Sequence, residues 1–337
     1  MKKQLLNLAK IFIPLGLGIF LIWYFAQSLD EEGKKEILRS FQNANYGWIL
    51  SSLVFAILSH ISRAYRWQYT LRPLGYQPKF WNSFFAVMIA YLVNLAVPRL
   101  GEFSRCGVMS KYEKIPFEKL LGTVIAERVA DFIILIVMTI VVALIQLEVL
   151  GGLIEEIFTA IENKFSLTIV VALVGVIAIG AVSLFYLFFS KGIKNPFILK
   201  VREFVSGIFQ GVAAILKMKD KWAFIGHTIF IWVMYVFMFY LCFFSLPETN
   251  NVPFGGVLTA FVMGGFTVAL TNGGIGAYPL AIVQVLSLYG ISEGVAGAFG
   301  WIVWSAQTIL LLVFGALSFA LMPLYNKMLA KNAIEQA

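Results

Sequence analysis

Six stretches of this chain, at approximately 11–27, 46–62, 120–147, 167–189, 222–246 and 295–323, are long and apolar enough to cross a bilayer. A hydrocarbon core ~30 Å thick takes ~20 residues of helix. Lipid offers no partner to free backbone N–H and C=O groups, and these runs are too continuous for the alternating strands of an outer-membrane barrel, so the spans are expected to be α-helices. The composition agrees. Of 337 residues, 60% are hydrophobic and 13% charged, whereas soluble domains average roughly 45–50% and 25%. The expected fold is therefore all-α and polytopic, a single integral membrane domain over 1–337.

Two further apolar stretches, about 81–97 and 254–290, are interrupted, the first at Val97-Pro98-Arg99 and the second at Thr271-Asn272-Gly273-Gly274-Ile275-Gly276. Treating each as a re-entrant hairpin, dipping in and returning to the same side, lets the connecting loops alternate without a misfit. Segments 1–10, 63–79, 98–119, 190–221 and 324–337 then fall on one side with 21 Lys/Arg against six acids, and 28–45, 148–166, 247–253 and 291–294 on the other with four against ten. That asymmetry puts the basic side, and both termini, in the cytoplasm of a bacterial-type inner membrane. It also accounts for the formal net charge of +8 without nucleic acid, for which no motif is present; attraction to anionic headgroups is a secondary use of the same charge.

The N-terminus has a basic start and an apolar core from Ile11 to Ala26 but no small-x-small cleavage site, and reads as a retained first helix. Residues 197–216 carry apolar side chains at helical period with Lys200, Arg202 and Glu203 between them, which fits an amphipathic helix on the cytoplasmic surface. No polar connection exceeds about 30 residues, so a nucleotide-binding or catalytic domain has nowhere to fit, and no phosphate-loop motif is present.

Three constellations carry charge or broken backbone into the apolar region. The first is Asn94 through Arg105, where Pro98 and Gly101 interrupt a helix beside Arg99, Glu102 and Arg105. Unpaired backbone at membrane depth is tolerated only inside protein or beside a wet cavity. Guanidinium groups match phosphate bidentately, and Glu102 could pair with either arginine or with a cationic headgroup; the plainer alternative is an Arg–Glu pair fixing a surface loop. The second is Glu127, Arg128 and Asp131, where the spacing allows an ion pair within one helix. Such charges cost roughly 2.5–3.5 kcal/mol each at the bilayer centre and so are expected to face the protein interior, unless the cluster lies near the boundary and snorkels. The third is Asn272, Gly273, Gly274 and Gly276, where glycines permit positive φ and a helix restarting near Tyr278 would aim free N–H groups at the break; a hairpin tip serving only close packing is the alternative. The two breaks enter from opposite sides, in corresponding positions of halves at about 1–150 and 151–325, as in inverted-repeat transporters. That symmetry rests on hydropathy, since no residue-level repeat links the halves.

Neither His60 nor His227 has a partner at metal-ligand spacing, and Cys106 and Cys242 read as small buried residues, so no metal site, disulfide or cofactor is expected. Trp48, Trp67, Trp81 and Trp222 fit interfacial belts.

At Arg63-x-x-Arg66-Trp67, at Asn94 to Arg105 with its P-R-x-G-E-x-x-R core, at Glu127-Arg128-x-x-Asp131 and at Gly273-Gly274-Ile275-Gly276-Ala277, the sequence resembles the transmembrane flippase-like domain of lysylphosphatidylglycerol synthases, also called multiple peptide resistance factors. The resemblance covers about 10–325. It implies a membrane domain that moves an aminoacylated phospholipid, or a related lipid, from the inner to the outer leaflet. The synthases add a soluble aminoacyl-transfer domain, whereas this sequence stops at Ala337, so synthesis of the lipid is not expected of it, and stand-alone relatives may carry other lipids, including isoprenoid-linked ones. The expected partner is thus a membrane phospholipid with an anionic or aminoacylated headgroup, and no catalytic residue is assigned. Binding is expected at Asn94, Arg99, Glu102, Arg105, Glu127, Arg128, Asp131, Asn272, Gly273, Gly274 and Gly276, while Arg63 and Arg66 read as cytoplasmic anchors. Two rivals stay open: a membrane-embedded lipid transferase using the same charges, and a scaffold in which they are structural.

Overall fold

In the computed structural model the described residues are 29–147, 215–271 and 273–335, with isolated positions in 19–27 and at 199. Expected spans 11–27 and 167–189, the amphipathic segment 197–216 and the loop 148–166 lie essentially outside them, as does Asn272. Within the described residues every regular element is helical: α1 Glu31–Asn43, α2 Tyr46–Leu71, α3 Phe80–Ala96, α4 Leu100–Glu113, α5 Phe117–Ile145, α6 Lys221–Cys242, α7 Phe254–Leu270, α8 Ala277–Ser287 and α9 Glu293–Glu335. Four of these, over Tyr46–Leu74, Phe117–Ile145, Lys221–Ser245 and Glu293–Asn332, are long and apolar enough to cross a membrane. Ile136, Val137, Ile140, Val141 and Leu144 of α5 are exposed, as a lipid-facing surface requires.

The remaining membrane helices pair off. α3 and α4 have 17 and 14 residues, α7 and α8 17 and 11, and at ~1.5 Å per residue none reaches 30 Å. α2 and α6 run antiparallel, because Ser52 meets Cys242 while Arg66 meets Thr228. The first hairpin starts from the end where α2 finishes and the second from the end where α6 finishes. They therefore enter from opposite ends, and an ideal Cβ on Gly273 would lie 3.8 Å from Leu95, so the two tips meet.

Local chemistry explains each tip. At the first, Val97 is extended, as a residue preceding proline prefers, and Arg99 turns the chain in the left-handed region at φ 65°. The Asn94 side chain accepts the Gly101 N–H at 2.7 Å, closing the turn. Gly101 is required because a Cβ there would collide with the Ala90 carbonyl oxygen. At the second, Gly273, Gly274 and Gly276 all have positive φ, Thr271 Oγ1 accepts the Gly274 N–H, and Trp304 Nε1 donates to the Gly273 carbonyl at 2.8 Å.

α9 binds both hairpins. Gly300 lies against Pro279 of α8, Gly315 against Met88 and Leu92 of α3, and Asn326 exchanges amide hydrogen bonds with Asn82. Small residues at such crossings let backbones approach closely. One apolar core, including Phe239, Phe243, Ile282 and Phe299, surrounds the second hairpin; another, including Trp67, Leu71, Met88, Met109 and Leu120, surrounds the first.

Two expectations are corrected. Residues 98–119 are not simply a connection: 100–113 is a helix, the return arm of the first hairpin, with Arg105 paired to Glu127 of α5, and 81–97 is only the first arm. Segment 28–45 is no plain loop, since α1 occupies most of it and packs on the start of α9 with Glu36 over Gly294.

Gly101→Ala should lower the melting temperature of the detergent-purified protein by the equivalent of about 1–3 kcal/mol of overpacking, and Gly101→Val should lower it further. Unchanged unfolding curves would show that α4 does not pack this closely on α3.

Candidate functional site

The charged residues of α2, α4 and α5 converge where the first hairpin packs on the spans. Asp131 accepts from Arg63 at 2.8 Å and from Arg66 at 2.7 and 3.2 Å. Glu127 accepts from Arg105 at 2.8 Å, with Arg66 at 3.9 Å. Arg128 lies 3.9 Å from both Glu102 and Asp131, closing the set with two longer contacts. Tyr235 and Thr228 of α6 contact Arg63 and Arg66 at 3.4 and 3.1 Å.

The sequence builds this site through helix periodicity. Arg63 and Arg66 are three apart on α2, Glu127 and Asp131 four apart on α5, so each pair shares one face and the two faces meet. Arg105 is brought in by α4, the arm that the Asn94–Gly101 turn folds back. Its guanidinium lies 3.6 Å from the Trp67 ring, a close cation–π contact, and Trp67 Nε1 donates to Thr123. Arg66 and Glu127 are fully buried and Arg63 and Arg105 nearly so, while the side chains of Arg128 and Glu102 are 43% and 26% exposed. A cavity of about 30 Å³ is lined by Arg63, Val87, Ala90, Tyr91, Asn94, Glu102, Arg105 and Arg128.

Of the expected site residues, Asn94, Glu102, Arg105, Glu127, Arg128 and Asp131 come together here, and the Arg128–Asp131 pair within α5 forms. Arg99 does not join them; it sits exposed at the hairpin tip, and Glu102 pairs with Arg128 rather than with Arg99 or Arg105. Gly273, Gly274 and Gly276 form the other tip, where Gly273 and Gly274 direct their N–H groups to Thr271. Arg63 and Arg66 are no cytoplasmic anchors, being 3% and 0% exposed and the partners of Asp131, and Trp67 is no belt residue, being fully buried under Arg105. Their i, i+3 spacing puts both on one face of α2, as the i, i+4 spacing of Glu127 and Asp131 does on α5, and that was the signal for this role. Trp48, Trp81 and Trp222 are exposed. His227 Nδ1 lies 2.8 Å from Ser62 Oγ, His60 is buried, and the described residues contain no cluster suited to a metal ion.

Residues 11–315 match the family described as the lysylphosphatidylglycerol synthase TM region. The chain is also 25% identical over 291 residues to a UPF0104 membrane protein of Methanocaldococcus jannaschii, covering 79% of this chain and 82% of that protein. No solved structure matches it.

Removing one member of a buried pair strands the other charge at a cost of roughly 3–5 kcal/mol. Arg105→Met should therefore lower thermal stability strongly, and adding Glu127→Gln should restore much of the loss. A double variant no more stable than the single would show that the Arg105–Glu127 bond is not the dominant coupling.

Proposed function

The chain belongs to the lysylphosphatidylglycerol synthase TM-region family, and from that premise we propose that it is a lipid transporter, carrying an aminoacylated or related phospholipid between leaflets of the cell membrane. The observation that supports this best is the cavity between the first hairpin and α5. Charge inside a membrane protein is costly and marks sites where something polar is handled, and here it faces a small cavity bordered by two partly exposed groups, Glu102 and Arg128.

In this reading a headgroup enters past Glu102 and Arg128 while its acyl chains remain in lipid. Glu102, Glu127 and Asp131 set the charge of the cavity, and Arg99 and the backbone at Gly273 to Gly276 meet the headgroup as it passes between the tips. Opposed hairpins with their tips in contact suit alternating access, in which one span–hairpin–span unit rocks against the other; α2 to α5 and α6 to α9 are those units. The basic end of the bundle, where Arg72 pairs with Asp220, is the cytoplasmic one. A lipid transferase is less well supported, because none of the site groups is a free nucleophile: the carboxylates are held by arginines, and both cysteines are buried elsewhere.

In proteoliposomes carrying a fluorescent phospholipid, wild type should speed its exchange between leaflets, read by quenching of the outer leaflet. Arg99→Ala combined with Glu102→Gln should slow that exchange about tenfold, which corresponds to ~1.4 kcal/mol. Equal exchange by wild type, the double variant and empty liposomes, across all lipids tried, would overturn the transport reading.

A further inference from the structure

Among the described residues, hydrogen bonding in the charged site is unbalanced in one direction. Arg63 Nε, Arg66 Nε, Arg105 Nε and Arg105 Nη2 are buried donors without a partner there, against one unpartnered carboxylate oxygen, Glu127 Oε1. The formal charges lean the same way, with Arg63, Arg66, Arg105 and Arg128 set against Glu102, Glu127 and Asp131. Buried polar groups are normally paired, and an added cation, amine or hydroxyl-rich group would leave this surplus of donors largely unmet. A group that brings acceptors and negative charge would satisfy it.

Arg105 narrows the chemistry. Its guanidinium is held on one face by Trp67 and at Nη1 by Glu127, so its orientation is set, while Nε and Nη2 together form the edge that grips two oxygens of one oxyanion. We propose that Arg105, with Arg63 across the cavity, forms a phosphate-binding fork, and that the headgroup phosphate is the part of the lipid which the site reads. The inference deepens the transport reading and rests on it for the source of the phosphate.

The cavity's 30 Å³ accommodates about two waters by the measure of ~10–15 Å³ each, so phosphate entry requires the wall to move. The mobile part of that wall is Arg128. Its side chain is the most exposed of the network and is held by two contacts of 3.9 Å, whereas Arg63, Arg66 and Arg105 each make a bond of 2.8 Å or shorter. Arg128 swinging away from Glu102 opens the cavity toward α4 and the lipid while the fork stays in place. Trp67 and Glu127 are positioning residues, acting on the ligand through Arg105.

The test is native mass spectrometry of delipidated full-length protein, offered dioleoyl phosphatidic acid, dioleoylglycerol or a dioleoyl glucosyl glycerol, each with and without inorganic phosphate. We expect phosphatidic acid to be retained at least about tenfold better than the two phosphate-free lipids. Arg105→Lys keeps the charge opposite Glu127 but loses the fork, and should abolish most of that preference with little change in melting temperature. Displacement of phosphatidic acid by millimolar inorganic phosphate would identify the phosphate as the element read. Binding of inorganic phosphate that no lipid displaces would overturn a lipid source and make this a soluble-phosphate site.

Equal retention of all three lipids by wild type overturns the fork, whether or not Arg105→Lys folds. The transport reading stands or falls separately, on leaflet exchange of the fluorescent phospholipid in proteoliposomes. Exchange without phosphate preference sinks only the fork; phosphate-dependent retention without exchange sinks only transport.

Discussion

The coordination of Asp131 by Arg63 and Arg66 at 2.7–2.8 Å is the contact on which the rest of the site depends. Two arginines on α2 would be very costly in an apolar bundle, and a buried ion pair offsets that cost only with good geometry and further hydrogen bonds. α5 supplies both acids on one face and thereby fixes its own rotation against α2. Once Glu127 is committed to that interface it needs a second partner, which only α4 delivers. The return arm of the hairpin is therefore held in the bundle by Arg105, and a helix with little apolar character of its own becomes part of the core.

That dependence accounts for how the first tip is built. A hairpin whose return arm is held by charge can be polar, and its turn is closed by a side-chain amide, Asn94, with a strained Arg99 at the apex. The second hairpin has no ion pair within it among the described residues. Its tip instead uses three glycines at positive φ and an indole hydrogen bond from α9. The two devices meet at Leu95 and Gly273, so α9, which touches both hairpins, is the element through which a shift in one is felt by the other.

Much of this was legible in the amino-acid sequence because hydrocarbon leaves the backbone few choices. Long apolar runs had to be helices, and breaks at Pro98 and at the Gly273–Gly276 cluster had to be turns buried in protein. Less visible was that residues 100–113 form a helix packed against α3 and α5: they carry Glu102, Arg105 and Lys111 and read as a surface loop until their partners on α5 are known. Arg63, Arg66 and Trp67 were misplaced for the same reason. A basic, aromatic cluster at a helix end is what an interfacial belt looks like, and only the two acids sharing one helix face at Glu127 and Asp131, 60 residues or more along the chain, distinguish burial from snorkelling. Arg99 and Glu102 erred in the opposite direction: proximity in sequence put them together, whereas the turn at Pro98 points one out at the tip and passes the other to Arg128.

A structural role for the charges would have favoured closure. Four arginines bring roughly twenty N–H donors and three carboxylates roughly twelve acceptor sites, so closure would need further acceptors from neighbouring side chains or backbone. Here the inner pairs, Arg66–Asp131 and Arg105–Glu127, are short and enclosed yet leave donors over, and the contacts lengthen and become more exposed outward through Arg128 and Glu102. That gradient separates an enclosed interior, which sets the guanidinium geometry, from a more exposed edge, which is where the proposed headgroup would enter. The same sequence spacing produces both, because Arg128 follows Glu127 directly and so must leave the face that its neighbour buries.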